Sequence, residues 1–202
     1  MKTIIAGASG RIGKEVVKAL SVSHDIVPVG SRSGDVQCDY SVPKSVSEMF
    51  AKIGQFDSLI SVIGGDSIFK PFAGLTDDDY RYGFERKFLG QIRFLKLGEN
   101  YIQDNGCYVF TSGFLSQYPN PASIATGPLN AAVNTFVKNT AFLLTRGIRI
   151  NVVSPAPIVE PGQENKGLVT AAETAKAYVG ALEGDITGQV LRVWGGLPVM
   201  PE

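Results

Sequence analysis

The sequence predicts an α/β domain over residues 1–202: a doubly wound, mostly parallel seven-stranded sheet with helices on both faces. Three observations predict it. Short apolar runs alternate with helical patterns along nearly the whole chain. Several runs are apolar at successive positions, which suits strands covered by helices on both sides rather than strands with one wet face. A glycine turn joins the first apolar run directly to the first helical pattern.

The elements follow in order. "TIIAG" (3–7) leads into a helical pattern at 11–20, and "IVPVG" (26–30) into another at 43–53. "SLISVI" (58–63) precedes a long pattern at 76–103. "CYVFTS" (107–112) precedes one at 128–145, where Leu129, Val133, Phe136, Val137 and Leu144 recur at helical spacing. "IRINVVS" (148–154), a pattern at 170–182 and "QVLRVW" (189–194) close the series. Repeats of β then α imply right-handed crossovers, and no repeat, low-complexity tract or linker interrupts them.

Composition narrows the function classes. With 202 residues, the chain is long enough for one domain with a sizeable core. Lys plus Arg equals Asp plus Glu at 19 each, so no global field favours nucleic acid or an anionic membrane. Cys38 and Cys107 show no CxxC or metal-ligand spacing and read as reduced core thiols of a cytoplasmic protein, with a single disulfide between them as the alternative. His24 is the single histidine, which excludes a His-based metal cluster and a Ser–His relay, and no metal is expected. The apolar run near the start is cut by Gly7, Ser9 and Gly10, and no run approaches the ~20 residues of a membrane span.

"IIAGASGRIGKEVV" carries the first functional signal. Gly7, Gly10 and Gly13 fall at GxxGxxG spacing, with Ser9, Arg11 and Ile12 between them. Glycines there permit a tight turn and a close backbone approach to a pyrophosphate, and the helix that follows presents N–H groups and a positive dipole. A plain turn is the bland alternative, and Ala8 keeps the segment from matching GxGxxG. The second strand ends in Ser31 and Arg32, where selection of NAD calls for an acid on the ribose. A hydroxyl and a cation suit a 2′-phosphate instead, with Arg11 as a second cation, so the expected cofactor is NADP(H) in preference to NAD(H). The missing acid also argues against an S-adenosylmethionine methyltransferase.

Taken with "CDYSVPKSVSEMFAKIGQFDSLISVIGG", "GIRINVVSPAPIVEP" and "ITGQVLRVWGG", the loop "GASGRIG" resembles the short-chain dehydrogenases/reductases over essentially the full length. The resemblance implies a Rossmann-type fold whose third strand lies near Cys38. It implies that Asp39 contacts adenine, that Val62, Ile63 and Gly64 line the ribose, and that Pro155 and Ile158 border the nicotinamide. Departures accompany it. Arg11 occupies a family glycine, Ser61–Val62–Ile63–Gly64 replaces Asn-Asn-Ala-Gly, and Ala156 follows Pro155 in place of glycine. About a dozen residues separate Pro157 from the last helical pattern, which implies a short substrate lid.

The family's acid–base pair is a Tyr and a Lys four residues later, and those positions hold Thr126 and Asn130. A neutral amide cannot lower a neighbour's pKa, and a threonine hydroxyl is too weak an acid to replace a phenol. Ser112, the family's carbonyl-orienting serine, remains. Lys87 stands where the family has an Asn on the central helix, and its long stem can carry an ammonium toward the empty lysine position. Tyr118 is a nearby phenol. The catalytic candidates are therefore Ser112, Lys87 and Tyr118, against the alternatives of a snorkelling Lys87 and a Tyr118 that merely packs.

The resulting expectation is an NADP(H)-dependent oxidoreductase acting on a small carbonyl or alcohol. The alternative is a non-catalytic NADP(H)-binding sensor or regulatory protein, with a purely structural remnant as a third class. Ala131, Ala132 and Thr135 give one helix a face of small residues, and Phe88, Ile92 and Leu95 stripe another. Because the family commonly pairs these two helices, a homodimer or homotetramer is expected.

Overall fold

The protein is seen here in a computed structural model that describes residues 1–64, 68–159 and 168–197. Its strands in chain order are β1 (Lys2–Ala6), β2 (Asp25–Gly30), β3 (Val36–Gln37), β4 (Phe56–Ser61), β5 (Ile102–Thr111), β6 (Arg149–Pro155), β7 (Ile158–Val159), β8 (Val169–Thr170) and β9 (Val190–Val193). Seven make one sheet in the order β3-β2-β1-β4-β5-β6-β9, with every neighbouring pair parallel. Strands β7 and β8 pair with each other outside it. The helices are α1 (Arg11–Leu20), α2 (Pro43–Ile53), α3 (Asp77–Gly83), α4 (Gly90–Gly98), α5 (Thr126–Thr140) and α6 (Ala171–Glu183).

The doubly apolar strands do what their sequence requires. Successive strand residues point to opposite faces. Ile4, Leu59, Tyr108 and Val152 enter one core with α2, α4 and α5, while Ile5, Ile60, Val109 and Val153 enter another with α1 and α6. Each such burial contributes about 1.5–3 kcal/mol, so a polar residue at any of these positions would strip one helical layer from the sheet. Cys38 and Cys107 are free and buried, and burial pushes both thiols up to about 11.

Two boundaries differ from the sequence pattern. The stretch expected as one helix at 76–103 starts on a capping box between Thr76 and Asp79, but α4 stops at Gly98 and β5 opens at Ile102. Gly98 sits so close to Phe50 that a Cβ there would lie 2.9 Å from its ring. Ile102 pairs with Phe56 and Cys107 with Ser58, so the exposed residues between them bulge, with Asn105 at a φ of 61°. That bulge hides the strand's start from any alternation reading. The fourth helix pattern, 128–145, is α5, which ends at Thr140. The expected short lid falls mostly on residues outside those described, though its ends, β7 and β8, are joined as a strand pair.

The sheet order reverses at β1. The chain runs outward through β2 and β3, then returns to place β4 on the other side of β1. Crossovers diverge there, which leaves a crevice at the carboxyl ends of the strands. Among the described residues no helix is long and apolar enough to cross a membrane, and no acidic, His or Cys group could hold a metal ion.

Candidate active site

Gly7 turns the chain at the end of β1 with a φ of 84°, and a Cβ there would lie 2.7 Å from the Val62 carbonyl oxygen. At Gly13 a Cβ would come within 2.1 Å of the Gly7 carbonyl oxygen. Helix α1 therefore rests directly on the turn, which only glycine allows. Helices α3 and α6 begin with capping boxes, whereas α1 begins at Gly10 with no side-chain cap. Helix N-termini of this kind bind anions through their backbone N–H groups.

Two recesses meet at this loop. The larger, about 440 Å³, is lined by Gly10, Arg11, Ile12 and Gly13 on one side and by Lys87, Ser112, Thr126 and Asn130 on another, with Pro155 and Ile158 at its border. The smaller, about 210 Å³, is lined by Gly7, Ser9, Ser31, Cys38, Tyr40 and Ile63. Gly10, Val62 and Gly64 belong to both. A glycine-rich wall between two adjoining recesses fits a dinucleotide, with its pyrophosphate at the shared wall.

Two expected contacts lie outside these walls. Arg32 is exposed on the loop after β2, while its neighbour Ser31 lines the smaller recess. Asp39 is exposed too, and its carboxylate accepts hydrogen bonds from the Ser41 hydroxyl at 2.6 Å and the Ser41 N–H at 3.0 Å. Those bonds, with Arg86 and Arg93 nearby, hold its carboxyl below the usual carboxylate range. Asp39 thus shapes the loop, and Cys38 and Tyr40 beside it form the wall. The Tyr40 carbonyl is anchored by an Arg93 guanidinium at 3.2 Å.

Lys87 is 3% exposed, so it does not snorkel. It lies on a π-helical turn, Phe84–Leu89, inserted between α3 and α4. Its Nζ donates to the Ser112 carbonyl at 2.8 Å and to Asn130 Oδ1 at 2.7 Å. An ammonium only donates, which fixes the orientation of the Asn130 amide. The other end of that amide sits where a Cβ on Gly113 would be, 2.8 Å from Asn130 Nδ2. Gly113 is thus what lets Asn130 reach Lys87. Ser112 lines this cleft, and its hydroxyl is buried with no hydrogen-bond partner among the described residues.

The other hydroxyls serve differently. Thr126 Oγ1 donates to the Ile68 carbonyl at 3.3 Å, tying the start of α5 to the loop after β4. Tyr118 packs against Phe114 and edge-on to Trp194, with ring centroids 5.7 and 5.6 Å apart, and is not among the residues lining the cleft. The structure brings Lys87, Ser112 and Asn130 together and leaves Tyr118 apart. The sequence reading missed Asn130 as an acceptor for Lys87. A signal for it exists: an ammonium buried in an apolar helix face needs an oxygen, and an amide on the facing helix supplies one.

A family model described as enoyl-(acyl carrier protein) reductase matches residues 2–197. Among curated proteins, General stress protein 39 of Bacillus subtilis is 26% identical over 75% of this chain, a match spanning only 50% of that protein's own length. Among solved structures, the protein lin1944 from Listeria innocua superposes with a TM-score of 0.90 at 32% identity, covering 96% of this chain and 100% of that one. A small-chain dehydrogenase in complex with NADPH gives 0.87 at 27% identity, covering 97% of each chain.

Proposed function

The chain belongs to the short-chain dehydrogenases/reductases, and we propose that it is an NADP(H)-dependent oxidoreductase acting on a small carbonyl or alcohol, with a buried lysine replacing the family's Tyr–Lys pair. The observation that carries this reading is the Lys87 ammonium, 2.8 Å from the carbonyl of Ser112 in the cleft that both residues line. Gly7, Gly10, Arg11, Ile12 and Gly13 would hold the pyrophosphate, with Ser9, Ser31 and Ile63 on the adenosine side and Pro155 and Ile158 on the other. When bound, the cofactor supplies or accepts the hydride at the substrate carbon.

The chain's own groups act on the substrate oxygen. Ser112 donates a hydrogen bond to it and fixes its direction. Lys87 stabilises the negative charge that develops there, and pre-placed charge of this kind needs no reorganisation during the reaction. The proton that completes the alcohol comes from water in the open cleft, since Tyr118 is packed away and Thr126 is too weak an acid. Turnover is correspondingly slow.

The test pairs direct NADPH binding with NADPH consumption against a panel of aldehydes, ketones and quinones. Binding with turnover supports the enzyme. Tight binding with none across the panel favours the sensor reading, and absence of binding removes both.

Preference for NADP(H) rests on Ser31 and Arg32 with no acid at the end of β2, and is supported by the NADPH held by the similar dehydrogenase. A charge-assisted bond to phosphate is worth about 1.5–3 kcal/mol, so Arg32→Asp should weaken NADPH binding about tenfold or more. Equal NADH and NADPH affinities in the unmodified protein would contradict the preference.

The same reading takes the protein as cytoplasmic and as a homodimer or homotetramer paired through α4 and α5. Ala131 and Ala132 are half-buried and Thr135 exposed, as are, in part, Phe88 and Ile92, whereas Leu95 belongs to the core. Light scattering at micromolar concentration should return a multiple of 21.6 kDa. A monomer mass would end this reading.

A further inference from the structure

One buried side chain outside the cleft holds the backbone beside both of the groups that the proposed chemistry uses. Gln91 is 1% exposed and sits on the first turn of α4, behind the cleft wall and not among its lining residues. Its Nε2 donates to the Lys87 carbonyl and to the Thr111 carbonyl, both at 3.0 Å. Its Oε1 accepts the Thr111 N–H at 2.8 Å. A single amide thus joins the π-helical turn that carries Lys87 to the strand end that carries Ser112.

These contacts close a ring. From Gln91 the path runs through the Thr111 backbone to Ser112, whose carbonyl accepts the Lys87 ammonium, and along Lys87 to its own carbonyl and back to Gln91. A π turn changes the face that following residues present and is often found at functional sites. Here it aims Lys87 inward, and Gln91 pins the turn against β5. Thr111 is itself fastened from the other side, its hydroxyl donating to the Ser61 carbonyl and accepting from Tyr178, both at 2.6 Å. The strand end is therefore a fixed post, and Gln91 is the link between that post and the helix.

We propose that Gln91 is a positioning residue that sets the placement of Lys87 against Ser112. The proposal rests on the oxidoreductase reading only for its activity arm. The first arm needs no turnover. Protein without cofactor is reductively methylated with formaldehyde and cyanoborohydride, and modification of Lys87 is followed by peptide mass spectrometry. Lys87, whose ammonium is held by the Ser112 carbonyl and Asn130, should react slowly in the parent and about tenfold faster in Gln91→Met, because three buried backbone groups lose their partner and the turn opens locally. The exposed Lys96 and Lys138 should react at parent rates. Val46→Ala, a core truncation on α2 that lowers the melting temperature without touching the ring, should leave Lys87 protected.

Equal protection of Lys87 in parent and Gln91→Met overturns the proposal, as does equal exposure in Gln91→Met and Val46→Ala. Should Gln91→Met fail to fold, Gln91→Glu is read in the same way, since it keeps the shape and the acceptor for Thr111 but turns an oxygen toward two carbonyls. In the activity arm, with whichever carbonyl the panel finds, kcat should fall about tenfold while the affinity for NADPH stays at the parent value. If no carbonyl turns over, the oxidoreductase reading fails while the labelling arm still decides the role of Gln91.

Discussion

Replacing Lys87 with methionine is expected to slow hydride transfer about 10²-fold while leaving NADPH affinity near that of the parent. The stem of methionine roughly fills the space, so the packing against α5 survives and the charge goes. The two acceptors it leaves, the Ser112 carbonyl and Asn130 Oδ1, make these bonds in buried positions, so some stability is lost with the charge. General acid–base and electrostatic help from one group is typically worth ~10²–10⁴-fold, and the lower end applies because Lys87 stabilises charge without a phenol beside it. Single-turnover NADPH oxidation with a responsive carbonyl gives the rate, and fluorescence titration gives the affinity. Thr126→Val is the contrasting variant. Its hydroxyl bonds the Ile68 carbonyl at 3.3 Å and has no lysine to activate it, so it should change the rate little. Loss of activity in Thr126→Val, with Lys87→Met unaffected, would place the chemistry elsewhere.

How far the sequence foretold this site follows from the physics of each part. Strand cores were legible because burial on both faces forces unbroken apolar runs, as at Ile4–Ile5 and Val152–Val153. The glycine loop was legible because close backbone approach excludes a Cβ, and Gly7 and Gly13 meet that condition geometrically. The two-residue β3 was visible only through family resemblance, since two residues carry no periodicity. The π turn was invisible for a related reason: one extra residue in a helix leaves no mark in a pattern that already tolerates spacings of three and four. Yet Lys87 and Gln91 stand four apart in a stretch that also supplies Phe94 and Leu95 to the core. Two polar residues on a buried face require partners, and that requirement is the trace the turn leaves in the sequence. Tyr118 shows the opposite case. Its distance along the chain from Ser112 is short, but the 3₁₀ turn Phe114–Ser116 directs it onto Trp194 instead of the cleft.

The pair Lys87 and Asn130 supports a stronger prediction, because the family resemblance implies an Asn and a Lys at these same two positions in the opposite order. The side chains meet at 2.7 Å, so the cleft holds one ammonium and one amide whichever helix carries which. Asn130→Lys alone puts two ammonium groups about 4 Å apart, a repulsion of about 4 kcal/mol at an effective dielectric of 20. In a domain of this size that lowers the melting temperature by roughly 10 °C. Lys87→Asn alone removes the charge and should cost activity about 10²-fold, as Lys87→Met does. The double variant Lys87→Asn/Asn130→Lys restores one charge and one acceptor. It should regain most of the lost melting temperature and turn over at least about tenfold faster than Lys87→Asn, a non-additivity expected only of residues in contact. Melting curves and single-turnover rates on the four proteins complete the cycle. If the double variant shows the full sum of its two single losses, Lys87 and Asn130 do not act as an exchanged pair, and the ammonium's position on α5 cannot substitute for its position on the π turn.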